Sequence, residues 1–139
     1  MIEEVIQQAA HKTSGDYLLW LADSYDNLPV EDGVRAPMGT VPPINPEWRS
    51  PFTTIERAAE FIKGAPRDRG LDLQHFVVLD KDLYLEKEWL IAYKFGRGGV
   101  PVPLPVVAKA ITFMLGGYDR NMWKHYVEDY YRDGRPGLA

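Results

Sequence analysis

A chain of 139 residues with 45% apolar and 26% charged side chains has the means to bury a core, which excludes disorder along its whole length. Its net charge of −4 disfavours nonspecific nucleic-acid binding, and the lack of cysteine excludes disulfides and thiolate metal sites. The opening MIEEVIQQAAHK places acids where an export signal needs a basic flank, and no apolar run approaches the roughly 20 residues of a membrane-spanning helix. The expectation is a cytoplasmic protein, one domain over 1–139, bound to neither membrane nor nucleic acid.

Ile2, Val5, Ile6, Ala9 and Ala10 recur at helical spacing and predict a short amphipathic helix over 2–12. Thr13-Ser14-Gly15-Asp16 breaks it, with Gly15 suited to a left-handed cap and Asp16 to capping whatever follows. The segment YLLWLADSY (17–25) lacks β-branched residues and reads as a second helix, although a buried strand would look similar at this length. Over 26–52 the composition changes. Pro29, Pro37, Pro42, Pro43, Pro46 and Pro51 each fix φ and remove a donor, so neither helix nor central strand is expected. That stretch reads as a wrapping arm pinned by Trp48 and Phe52.

Thr53-Thr54-Ile55-Glu56 fits a capping box, and Ile55, Ala58, Ala59 and Ile62 follow as the apolar stripe of a helix that Gly64 and Pro66 end. His75-Phe76-Val77-Val78-Leu79 reads as a strand and Asp80-Lys81-Asp82 as a turn. The following run, DLYLEKEWLIAYKF (82–95), is expected to be one long half-buried strand. Alternation gives it an apolar face of Leu83, Leu85, Trp89, Ile91, Tyr93 and Phe95, with Lys87 turned out by a bulge. Glu86 and Glu88 then project side by side from the solvent face.

Gly96-Arg97-Gly98-Gly99 marks a turn into the extended, edge-type VPVPLP (100–105). Residues 106–115 read as one or two further strands, or else as a short helix starting near Pro105. Gly116 and Gly117 close that segment. Asp119 is placed to cap a last helix carrying Met122, Trp123, Tyr126, Val127, Tyr130 and Tyr131, ended by Gly134 and Pro136. The sum is an α+β fold: an antiparallel sheet of about four strands packed against helices in a core over 53–133. An N-terminal helical segment (1–25) and the long Pro-rich loop (26–52) precede it.

The chain carries no phosphate loop, nucleophile elbow or His-Glu-x-x-His, and His11, His75 and His125 stand far apart. No metal and no cofactor is expected. The acids Asp80, Asp82, Glu86 and Glu88 are close in sequence, but an exposed strand face lacks the desolvation a general acid requires. Such a face suits binding of a basic partner, with Asp82, Glu86 and Glu88 for orientation and Tyr84, Trp48 and Tyr118 as aromatic anchors. Two other readings remain open: a small enzyme using carboxylates and His75 near the Pro-rich loop, and a phage or structural accessory protein.

Residues 54–132 run through a helix, the strand FVVLD, a charged run into Trp89-Leu90-Ile91-Ala92-Tyr93, then Pro105-Val106-Val107-Ala108-Lys109, and close on HYVEDY (125–130). This order resembles the immunity protein 35 family of bacterial polymorphic toxin systems, the matching positions being Trp89, Pro105, Lys109, Tyr126 and Tyr130. Glu88 stands where that family tends to have glycine before the tryptophan. The resemblance implies an α+β immunity protein that neutralises a cognate toxin by binding it, without catalysis.

Overall fold

The structure, a computed structural model, describes residues 1–12, 17–28, 39–67, 69, 71–115 and 122–137. Within these, the chain forms two compact units, Met1–Leu73 and Gln74–Ala139. The expected breaker at 13–16, Pro29 and Pro37 of the arm, and the turn and cap at Gly116, Gly117 and Asp119 lie outside the described residues.

In the first unit, α1 (Ile2–Lys12) buries Val5, Ile6, Ala9 and Ala10, one stripe of the helix, and has Glu3 and Glu4 in its first turn, where helix dipole and acid attract. Residues 17–24 are not the second helix expected from their composition. They are neither helix nor strand and are tied to residues 39 and 40: Thr40 N–H donates to Leu19 O at 2.8 Å and Leu21 N–H to Thr40 Oγ1 at 2.9 Å. Gly39 is where the two segments come closest, and a Cβ there would overlap the Leu19 carbonyl. A single 3-10 turn at Tyr25–Asn27 follows. Residues 39–52, which hold Pro42, Pro43, Pro46 and Pro51, contain neither α-helix nor strand.

The helix expected after residue 53 is α2 (Ile55–Lys63), with Ala59 and Ile62 buried. Its cap is Thr54 rather than Thr53: the Thr54 hydroxyl accepts from Arg57 N–H at 3.2 Å, so the reciprocal pairing with Glu56 that a capping box needs does not form. Phe61 gathers an aromatic cluster, with ring centroids 4.4 Å from Tyr25, 4.8 Å from Phe52 and 6.0 Å from Trp20. Phe52 thus pins the end of the Pro-rich segment, and the Tyr25 hydroxyl adds a 2.7 Å bond to Phe61 O.

The second unit is built on a three-stranded antiparallel sheet, one strand fewer than expected, in the order β1 (His75–Val78), β2 (Trp89–Phe95), β3 (Pro101–Val107). The register sets Leu90 opposite Val106 and Ala92 opposite Leu104, all at 0–1% exposure. On the same face His75 meets the ring of Trp123 at 5.6 Å, which places α5 (Trp123–Asp133) over it. Burial of each large aliphatic residue here contributes roughly 1.5–3 kcal/mol. The other face is half-buried and aromatic: Phe76 stacks on Tyr93 at 4.9 Å and tilts against Phe95 at 5.7 Å. Strand alternation therefore operates in β2, but Leu90 and Ala92 form the deeper face and Trp89, Ile91, Tyr93 and Phe95 the shallower one, the reverse of the expected polarity. Both faces carry apolar side chains, one fully buried and the other half-buried.

The fourth strand is missing because residues after Val107 coil. Ala108–Ala110 form a 3-10 turn that leads into α4 (Ile111–Leu115), whose Ile111 is fully buried. Beyond α5, the chain returns to the sheet: Gly137 N–H donates to Pro105 O at 2.8 Å and Val107 N–H to Gly137 O at 3.3 Å. That short parallel bridge covers one end of the β3 edge. Gly134, at φ 70°, ends α5 as a left-handed cap. Next to it, the hydrogen bond from Arg132 holds the Asp133 carboxyl below its ordinary value.

Candidate functional site

The run 82–95 is not one strand. Asp80 accepts from Leu83 N–H at 3.0 Å through Oδ1 and caps a helix, α3 (Lys81–Lys87), with Asp82 in its first turn and Lys87 in its last, each sign facing the opposite helix pole. Two turns later the backbone reverses at Glu88 (φ 55°, ψ 38°), whose N–H bonds Tyr84 O at 2.8 Å, and β2 begins at once. The three charges at the centre of the run mark a helix end. Lys87 needs no bulge: its ammonium sits 4.6 Å from the centroid of Trp89, a cation–π contact that shields the indole.

Helical spacing redistributes the predicted binding residues. Tyr84 faces inward and is 4% exposed, so it anchors α3 and offers no contact surface. Glu86 and Glu88 are not neighbours on a sheet face; Glu86 lies on the helix and Glu88 at its exit, both exposed. Asp82, Leu85 and Glu86 stand at i, i+3 and i+4 and share the outward face opposite Tyr84. Leu85, which strand parity assigned to the core, is 64% exposed. It has Asp82 at i−3 and Lys81 at i−4, with Glu86 farther round the same side. An apolar side chain here stands beside a net acidic surface that can meet an apolar spot near cations. Asp82 and Glu86 are both exposed on this face.

Trp48 belongs to the other unit and is only half-exposed. An Asx turn at Asn45, whose Oδ1 accepts from Glu47 N–H at 2.9 Å and whose carbonyl accepts from Trp48 N–H at 3.0 Å, aims the indole inward. Its Nε1 donates to Asp23 Oδ2 at 3.2 Å. The pair forms part of the wall of a cavity of about 410 Å³, shared with Trp20, Thr40, Ile44 and Asn45. Trp48 is thus a cavity wall and not a protruding anchor. Tyr118 lies outside the described residues. His75, the residue assigned to a possible enzyme, packs its ring on Trp123.

Sequence reasoning missed Leu85 and Asp23. The first was hidden by the wrong periodicity, though the acid–base polarity of 80–87 was a usable helix signal. For Asp23 nothing local could have served, since its partner lies 25 residues away. Among the described residues no three His, Asp or Glu side chains gather as a metal site, and no helix is long and apolar enough to cross a membrane.

Compared with known proteins, the chain matches no family model, no curated protein and no solved structure. None of these comparisons bears on the expected resemblance to the immunity protein 35 family, which rests only on the residues quoted for it. Of these, Trp89 opens β2, Pro105 sits in β3 opposite Ile91, Lys109 is exposed in the turn after β3, and Tyr126 and Tyr130 lie one turn apart on α5.

Proposed function

We propose that this protein is a non-catalytic binding protein that docks a basic protein surface through the outward face of α3, and that the partner is a cognate bacterial toxin. The observation that carries the docking surface is Leu85, 64% exposed on the same side as Asp82 and Glu86 of a helix that the buried Tyr84 holds in place. An exposed aliphatic residue gains by burial in a partner, whereas the acids near it orient the encounter and repel acidic competitors. The immunity role comes from the family resemblance. It is supported by the left-handed backbone at Glu88, a conformation that suits the glycine the family tends to have there.

The test pairs the protein with a toxin domain encoded beside its gene, in a growth-rescue assay and a binding titration. The wild type is expected to restore growth and to bind more weakly as salt rises. Asp82→Lys with Glu86→Lys should slow association and lower affinity by about tenfold or more, and Leu85→Ala should cost roughly 1–2 kcal/mol of binding. Because all three side chains are exposed, the melting temperature should move by no more than a few degrees. Unchanged affinity in the charge-reversed protein would rule out this face. A wild type that rescues growth against no neighbouring toxin would rule out the partner.

A further inference from the structure

We propose that the cavity in Met1–Leu73 is a binding site for an organic cation, an alkylammonium or alkylguanidinium group, held by the carboxylate of Asp23. The two carboxylate oxygens are in unequal situations. Oδ2 accepts from the Trp48 indole at 3.2 Å, while Oδ1 is buried with no hydrogen-bond partner. Buried carboxylate oxygens without donors are rare because desolvation goes uncompensated. Among the described residues no lysine, arginine or histidine pairs with Asp23; the ion pairs between described side chains all lie on or just beyond α5. An incoming N–H donor supplies what the carboxylate lacks. Asp23 is part of the cavity wall, and rotation about its broad terminal torsion lets the carboxylate trade the Trp48 bond for a donor in the cavity.

The rest of the wall favours a cation with an apolar stem. Trp20, Leu21, Leu28, Ile44 and Trp48 supply apolar and aromatic surface for the stem, polar groups supply nearly as much of the wall, and the two indoles offer π surface to the cation. Asn45 adds a polar side chain at the rim, and Thr40 Oγ1 is already engaged by Leu21 N–H. A volume of about 410 Å³ admits an alkylguanidinium and falls in the usual range for small-molecule pockets. An anion would face the carboxylate, and a neutral hydrocarbon would leave Oδ1 without a donor. The same chemistry has two sources, a free small amine or guanidine and the side chain of an arginine or lysine from a protein. The site is independent of α3 and stands whether or not that helix docks a toxin.

The experiment titrates the full chain with n-butylguanidinium, with the neutral isostere n-butylurea, and with an end-capped Gly-Gly-Arg-Gly-Gly peptide. The indole N–H resonance of Trp48 and calorimetry report binding. The expected result is a saturable shift of that resonance by butylguanidinium, with butylurea at least about tenfold weaker and affinity falling as salt rises. Asp23→Asn, which retains an acceptor for the Trp48 indole, should also weaken the cation about tenfold. Tighter binding of the peptide than of butylguanidinium assigns the cation to a protein side chain, and equal or weaker binding assigns it to a small molecule. Equal affinity for butylguanidinium and butylurea on the wild type overturns the proposal without recourse to any variant. So does a Trp48 resonance that neither cation moves. The variant Asp82→Lys with Glu86→Lys should bind the probe as the wild type does.

Discussion

Glu88 carries the transition from α3 to β2 alone. Its backbone lies in the left-handed region, which costs an L-residue with a Cβ roughly 1–2 kcal/mol. The position is fixed from both sides, by its N–H to Tyr84 O at 2.8 Å and by its carbonyl, which accepts from Ala108 N–H at 2.9 Å. Strain is tolerated because two elements hold the residue in place. Glu88→Gly should therefore raise stability by about 0.5–1 kcal/mol, the relief being reduced by the greater freedom of glycine in the unfolded chain. Glu88→Val should lower it by more than 1 kcal/mol or so, since a β-branched side chain is poorest at positive φ. Urea unfolding of the two variants checks both signs; equal midpoints would mean that the turn bears no strain.

At the scale of elements, what was legible followed from how each element is specified. Residues 55–63 announced themselves because cap, stripe and stop signal agree, and β3 because prolines at alternate positions allow an edge strand and little else. Two short segments misled. Residues 81–87 have aliphatic and aromatic side chains that satisfy a period of two as readily as a helical one, and seven residues are too few to separate them. Residues 17–24 have helix-favouring composition, but backbone bonds to residues 39 and 40 override it, a long-range pairing no local rule contains. The candidate docking face was lost with the first error. Strand alternation exposes the acids but places Leu85 in the core.

The prolines of β3 also decide what its edge can do. Val107 N–H and Pro105 O both point away from β2 toward Gly137, so odd-numbered residues of this strand face the outer edge. Pro101 and Pro103 therefore place carbonyls there and no donors, and another strand cannot complete a ladder along that edge. Pro103→Val restores a donor at an exposed position while leaving the bonds to β2 intact. The variant should show concentration-dependent self-association by light scattering, with urea stability within about 1 kcal/mol of the wild type. A strictly monomeric variant at high concentration would show that something other than proline guards this edge.

On the scale of the whole molecule, the two proposed surfaces fall in different units, the acidic face of α3 in Gln74–Ala139 and the cation cavity in Met1–Leu73. In the second unit Leu90, Leu104, Val106 and Ile111 are all under 2% exposed in the whole chain, and the sheet edge is closed in part by Gly137. A chain of about 60 residues buries only some 60% of its unfolded surface, so such a unit should fold with little stability to spare. The fragment 74–139 is accordingly expected to unfold cooperatively, with near-ultraviolet circular dichroism from Trp89 and Trp123 lost in a single transition. Leu104→Ala, which opens a cavity at a fully buried site, costs on the order of 2–5 kcal/mol and should leave the fragment unfolded at room temperature. The folded fragment should keep affinity for the basic partner and bind no butylguanidinium, since Asp23 and Trp48 are absent from it. A fragment with no near-ultraviolet signal would show that the second core is not self-sufficient. A folded fragment that loses the partner would move the docking surface off α3.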